Sequence, residues 1–148
     1  LKLLLGFDAD VADWVGRRIK HVGSGPGFGP CAAIGVVNDE VTEILGGVVY
    51  HNFRAEYRNC ELSFASSGKA WLNRDMIAGL LGYPFDQLNC KVVIGVTPKH
   101  NRRALEFLRR FGFTRDGCVR SGFGSDDAII STLKASEWRR SKFNRKAK

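Results

Sequence analysis

The sequence has no C-x-x-C pair, no histidine cluster, no stretch of eighteen apolar residues and only one methionine. The missing pairs and clusters leave the four cysteines, Cys31, Cys60, Cys90 and Cys118, without the spacing a zinc site needs, and no metal is expected. The cysteines instead read as buried thiols in a reducing cytoplasm. They lie 29, 30 and 28 positions apart, but their surroundings (GPCAA, RNCEL, LNCKV, DGCVR) share nothing else, which excludes a repeat. Without a long apolar run no segment is expected to cross a membrane, and Leu3–Leu5 near the start is too short for a signal-peptide core. G-x-G-x-x-G is also missing. The glycine-rich stretch GSGPGFGP (23–30) is followed by strand-like CAAIGVV rather than by a helix whose N-terminus could hold phosphate, so it reads as a mobile loop.

What is present fits a single packed unit. The chain has 148 residues, 44% hydrophobic and 26% charged, enough for one core and short for two. Its net charge of +8 invites a nucleic-acid reading, but Arg139, Arg140, Lys142, Arg145, Lys146 and Lys148 carry six positive charges within the last ten residues, leaving +2 for the rest. The expected organisation is therefore a domain over 1–138 and a basic, mobile tail over 139–148, which could meet an anionic surface such as RNA or a ribosome. Oligomeric state is not legible.

Hydrophobic periodicity orders the elements. After a short strand, Asp8 or Asp10 can cap a helix carrying Val11, Trp14, Val15 and Ile19. Two β-rich runs follow, joined at Asn38-Asp39, and Arg58–Ser66 then alternates, with Cys60, Leu62 and Phe64 on one face and Glu61, Ser63 and Ala65 on the other. A helix from Asn73 carries Met76, Ile77, Leu80 and Leu81 and should kink or break near Pro84. Lys91–Val96 is a buried strand, Asn101–Arg110 a helix closed by Gly112, and two strands complete the order β α β β β α β α β β.

That order, together with HNRRALEFLRRFGF (100–113), resembles the GNAT acyltransferases, whose core closes with an N-x-x-A/S helix and a G-F leading into the next strand. The matching residues are Asn101, Ala104, Gly112 and Phe113. The alanine without a following tyrosine is similar to the ribosomal-protein N-acetyltransferase branch, and WLNRDMIAGLLGYPFDQLNC is similar to short GNAT proteins of phages and prophages. The resemblance, over Ile34–Leu133, implies one α/β (α+β) domain with a mixed, mostly antiparallel sheet of six to seven strands flanked by helices. It also implies an N-acetyltransferase that uses acetyl-CoA as co-substrate, with an amine acceptor that the sequence does not identify.

In such a protein the CoA pyrophosphate sits at the helix start after the fourth strand, here Ser67–Arg74, and the resemblance places Lys69, Trp71, Leu72, Asn73 and Arg74 around it. Pantetheine would lie along Phe64, Ala65 and Ser66, with Asn101 and Arg103 contributing from the next helix. The family's Q/R-x-x-G-x-G/A is altered: Ser67, Ala70 and Leu72 stand at its fixed positions, and Asp75 would oppose a phosphate. Leu108 replaces the family's acidic tyrosine, and the fifth strand carries no carboxylate. Glu61 is then the first candidate for the base and His51 the second. These departures also admit a non-catalytic domain that binds acyl-CoA or a partner, or a nucleic-acid-associated protein acting through its tail.

Overall fold

In a computed structural model, residues 1–19 and 27–145 are described. The elements run β1 (Lys2–Leu4), α1 (Asp8–Gly16), β2 (Cys31–Val37), β3 (Ile44–Arg54), β4 (Asn59–Ser66), α2 (Arg74–Asp86), β5 (Val92–Pro98), α3 (Arg102–Arg110), β6 (Thr114–Phe123), β7 (Asp126–Lys134) and α4 (Ala135–Arg139). The strands form one seven-stranded sheet in the order β1-β2-β3-β4-β5-β7-β6. Every pairing is antiparallel except β4 with β5. The expected order is present, with α4 added.

Strand alternation sends the two sets of side chains to different helices. On one face, Ile34, Val48, Leu62 and Val93 form the main core with Met76, Ile77, Leu80 and Leu81 of α2, Leu108 of α3 and Trp138 of α4. On the other, Val11 and Val15 of α1 meet Ala33 and Val49. Two glycines permit close approach. A Cβ on Gly47 would stand 2.8 Å from Val15 Cγ2, and one on Gly46 would stand 2.1 Å from the Trp71 ring.

Helix α1 starts differently from the expectation. Its N-cap is Phe7, and Asp8 is the first helical residue, with its Oδ1 accepting the Ala33 N–H at 3.0 Å. Asp8 therefore ties helix to sheet instead of capping, and the helix ends before Ile19.

Helix α2 also corrects the sequence reading, because it runs through Pro84 to Asp86 without a break. Proline cannot donate the bond that the carbonyl four residues earlier, on Leu80, would otherwise accept. The hydroxyl of Tyr50, buried on β3, donates to the Leu80 oxygen instead. A side chain from the sheet thus takes the place of the missing helical donor, and the burial that holds it there also pushes the Tyr50 phenol well above its ordinary pKa.

Helix α3 closes as expected. Gly112 adopts φ +100, its N–H donates to Arg109 O, and the Phe113 N–H donates to Leu108 O, which together make a Schellman cap. Phe113 and Leu108 both enter the core.

The segment expected to be a mobile tail from Arg139 has a defined place as far as Arg145, while 146–148 lie outside the described residues. Phe143 stacks edge-on against Phe111, the buried Asn144 donates to Trp138 O, and Arg145 meets Asp75 at 2.7 Å. A Phe and an Asn in the basic run give it something to bury, which a count of charges does not reveal.

Candidate active site

Strands β4 and β5 pair over three positions only, Asn59↔Val92, Cys60↔Val93 and Glu61↔Ile94. Beyond these, Leu62–Ser66 and Gly95–Pro98 diverge, and the sheet forks. The closed end is held by the Arg58 guanidinium, which donates to Asn89 O and Oδ1 at 2.9 and 2.8 Å. Cys60 and Cys90 meet there at 3.8 Å between sulfurs. Burial pushes both thiols up, Cys60 further, so they sit as neutral packing groups.

The open end is held apart by α3. Its consecutive residues lean one to each arm: the Phe107 ring stacks on Phe64 of β4 with centroids 4.3 Å apart, and Leu108 lies over Gly95 of β5. Gly95 has no Cβ, and one built there would be 3.1 Å from Leu108 Cδ1. The Trp71 ring lies nearly parallel to that of Phe107, with centroids 6.0 Å apart. The wedge is well filled, with a void of only about 20 Å³ among Phe64, Phe107 and their neighbours.

Because β4 and β5 are parallel, the helices that follow them both begin at the open end. Asn73 caps α2 by accepting the Met76 N–H at 2.9 Å, and Asn101 caps α3 by accepting the Ala104 N–H at 3.2 Å. The amides of Arg74 and Asp75 have no helical partner by position and remain as donors for an anion. The negative charge of Asp75, which opposes a phosphate, is paired with Arg145. That compensation comes from seventy residues away and was missed in the sequence.

The other residues expected at the cofactor divide. Phe64, Ala65 and Ser66 form the β4 arm, which pairs with β3 on one side and faces the fork on the other. Lys69 is paired with Glu43 at 2.7 Å, and Arg74 donates to Lys142 O at 3.4 Å. Arg103 is exposed on the first turn of α3. Trp71 is a core residue, and Leu72 packs half-buried beside it. Among the described residues no group of three or more histidine, cysteine or acidic side chains could hold a metal.

On the opposite face the registers align one row across four strands: Cys31, His51, Glu61 and Ile94. Both candidate bases therefore point to the side of the sheet that carries α1. Glu61 is half-buried at the fork, with Oε2 accepting from Asn52 Nδ2 at 2.5 Å. His51 Nε2 lies 2.9 Å from Ser63 Oγ, and Phe28 rests against its ring. Phe28 belongs to the glycine-rich stretch, whose residues 23–26 lie outside the described part. A His–carboxylate pair stands just before α3, where His100 Nδ1 and the His100 backbone N–H both meet Asp126 Oδ2. Those two contacts, the backbone one first, hold the Asp126 carboxyl below its ordinary range.

The same architecture occurs among solved structures. A spermidine/spermine N-acetyltransferase SpeG from Vibrio cholerae matches 94% of this chain and 95% of its own, with a TM-score of 0.72 at 15% identity. A ribosomal-protein-S5-alanine acetyltransferase from Vibrio fischeri matches 73% of this chain and 63% of its own, at 0.63 and 16%. A probable acetyltransferase gives 0.62 at 22% identity, and this chain spans 64% of its length. No family model matches the sequence, and no curated protein does. The shared feature is the fold, that of the GNAT acetyltransferases, as a single α/β domain.

Proposed function

We propose that this protein is an N-acetyltransferase that moves the acetyl group of acetyl-CoA to a primary amine. The observation that carries the reading is the fork between β4 and β5, with two helix N-termini at its open end and Glu61 at its crotch. The α2 start, with Lys69 and Arg74, suits the pyrophosphate, and the Phe64–Ser66 edge suits the amides of pantetheine as an added strand. Asn101 and Arg103 flank the same route. An N–H of the β4 arm would steady the thioester oxygen as it gains charge.

The acceptor approaches from the α1 side of the sheet. Its nitrogen attacks the thioester carbonyl, Glu61 takes the proton that the nitrogen sheds, the C–S bond breaks, the departing thiolate collects a proton from water, and Glu61 returns its own proton to the hydroxide left behind. Leu108 is buried against Gly95 and offers no acid for that last step. His51, in the same row, is the second candidate for the proton. The named neighbours act on a polyamine and on a protein alanine, so both acceptor classes belong in a test.

Acetyl-CoA at about 100 times its dissociation constant should stabilise the protein by about 2.7 kcal/mol. A panel of spermidine, an alanyl peptide and a lysyl peptide, followed by free-thiol release, then reports turnover. Glu61→Gln should lower it about 100-fold at unchanged acetyl-CoA affinity. Stabilisation without turnover on any amine would favour a non-catalytic acyl-CoA-binding domain, and no stabilisation would remove the cofactor claim.

A second reading, docking to RNA or a ribosome through the C-terminal segment, is favoured by Arg139, Arg140 and Lys142. None of the three makes an ion pair among the described residues.

A further inference from the structure

Strand β3 follows β4 in regular register through His51↔Glu61, then slips before the next pair, Arg54↔Asn59. In an unbroken strand, residue 52 would point to the face opposite His51 and Glu61, since neighbours alternate. Instead Asn52 takes φ +50, a left-handed conformation that asparagine tolerates better than other residues with a Cβ. The irregularity turns its side chain onto the Glu61 face, and its Nδ2 donates to Glu61 Oε2. Glu61 is itself the last residue of β4 to pair with β5.

We propose that Asn52 is a positioning residue for the Glu61 carboxylate, an inference that rests on the base assigned to Glu61 above. A glutamate on a half-exposed strand has several rotamers, and only some aim an oxygen at the fork. The Asn52 amide fixes Oε2 and leaves Oε1 with its lone pairs to receive the amine proton. The left-handed backbone at Asn52 is what this orientation costs, and such strain concentrates where a side chain must be aimed.

Asn52→Gly separates this role from a structural one. Glycine accepts φ +50 without strain and keeps the bulge while removing the amide. With acetyl-CoA and the best acceptor of the three-amine panel, kcat should fall about tenfold. The KM for acetyl-CoA and the melting temperature should stay where they are. In a Glu61→Gln background the same substitution should cause no further loss, because the carboxylate it serves is gone. Unchanged kcat in Asn52→Gly, or an equal fold-loss in both backgrounds, would overturn the role of Asn52 and leave Glu61 untouched. Full turnover by Glu61→Gln would instead overturn the base assignment and this inference with it, and no turnover by the unaltered protein counts against both.

Discussion

Replacing Tyr50 by Phe tests whether the sheet completes helix α2 at Pro84. The substitution removes one hydroxyl from a residue that is 2% exposed and leaves the ring in place, tilted against Tyr83 with centroids 4.9 Å apart. The Leu80 carbonyl then loses its donor in the core, since residue 84 has no N–H to offer. An unsatisfied buried carbonyl costs about 1–3 kcal/mol, which for a chain of this length lowers the melting temperature by about 3–10 °C. The informative comparison adds Pro84→Ala. Alanine restores an N–H four residues after Leu80, so Tyr50→Phe should cost at least about 1 kcal/mol less in that background. Urea unfolding of the four proteins of the cycle gives the coupling directly. A cost for Tyr50→Phe that is the same whether residue 84 is proline or alanine would refute the account, however large the single effect.

Gly46→Ala should destabilise by about 1–3 kcal/mol or more, because the new Cβ would overlap the Trp71 ring at 2.1 Å; thermal unfolding of the variant checks this. Ending the chain at Arg140 removes Phe143, the Asn144 bond to Trp138 and the Arg145–Asp75 pair, and should cost about 2–4 kcal/mol in urea; an unchanged midpoint would show the segment contributes nothing. Asp126→Asn tests the tie between α3 and β7. The carboxyl is held below its unfolded value, so its contribution is complete above pH about 4 and is lost as pH falls further, and the melting difference from the native protein should shrink over that range. Reversing Arg139 and Arg140 to Glu should weaken RNA binding at low salt and leave free-thiol release from a soluble amine unchanged. Equal binding by the two proteins would remove the anionic-surface reading.

The order of elements was legible because each segment carries its own signal: alternation in Arg58–Ser66, helical spacing at Met76–Leu81, and a glycine cap at Gly112. The same local signal placed Glu61 on the face opposite Cys60 and Leu62, which enter the main core, since alternation alone decides that. What failed had partners far along the chain. Pro84 suggested a break because its compensating donor, Tyr50, lies on a strand two elements earlier. Asp8 suggested a cap, while its partner is the Ala33 amide. Asp75 suggested repulsion of a phosphate, and Arg145 answers it from the far end of the chain. Asn52 carried no signal at all, because only a change in register turns it toward Glu61.

The fork shows why these long-range partners matter to the proposed chemistry. Two parallel strands in register would pair along their whole length and leave no edge for a ligand, so something has to hold β4 and β5 apart beyond Glu61. The Phe107 ring supplies that volume on one arm, and Leu108 reaches the other only because residue 95 is glycine. A tyrosine at 108 would have to place its hydroxyl in the same packed contact. Leu108→Tyr is therefore expected to strain the wedge by about 1–3 kcal/mol instead of supplying an acid. In the proposed chemistry, α3 then holds the two arms apart through Phe107 and Leu108, and proton transfer falls to the opposite face of the sheet, where Glu61, His51 and Asn52 stand.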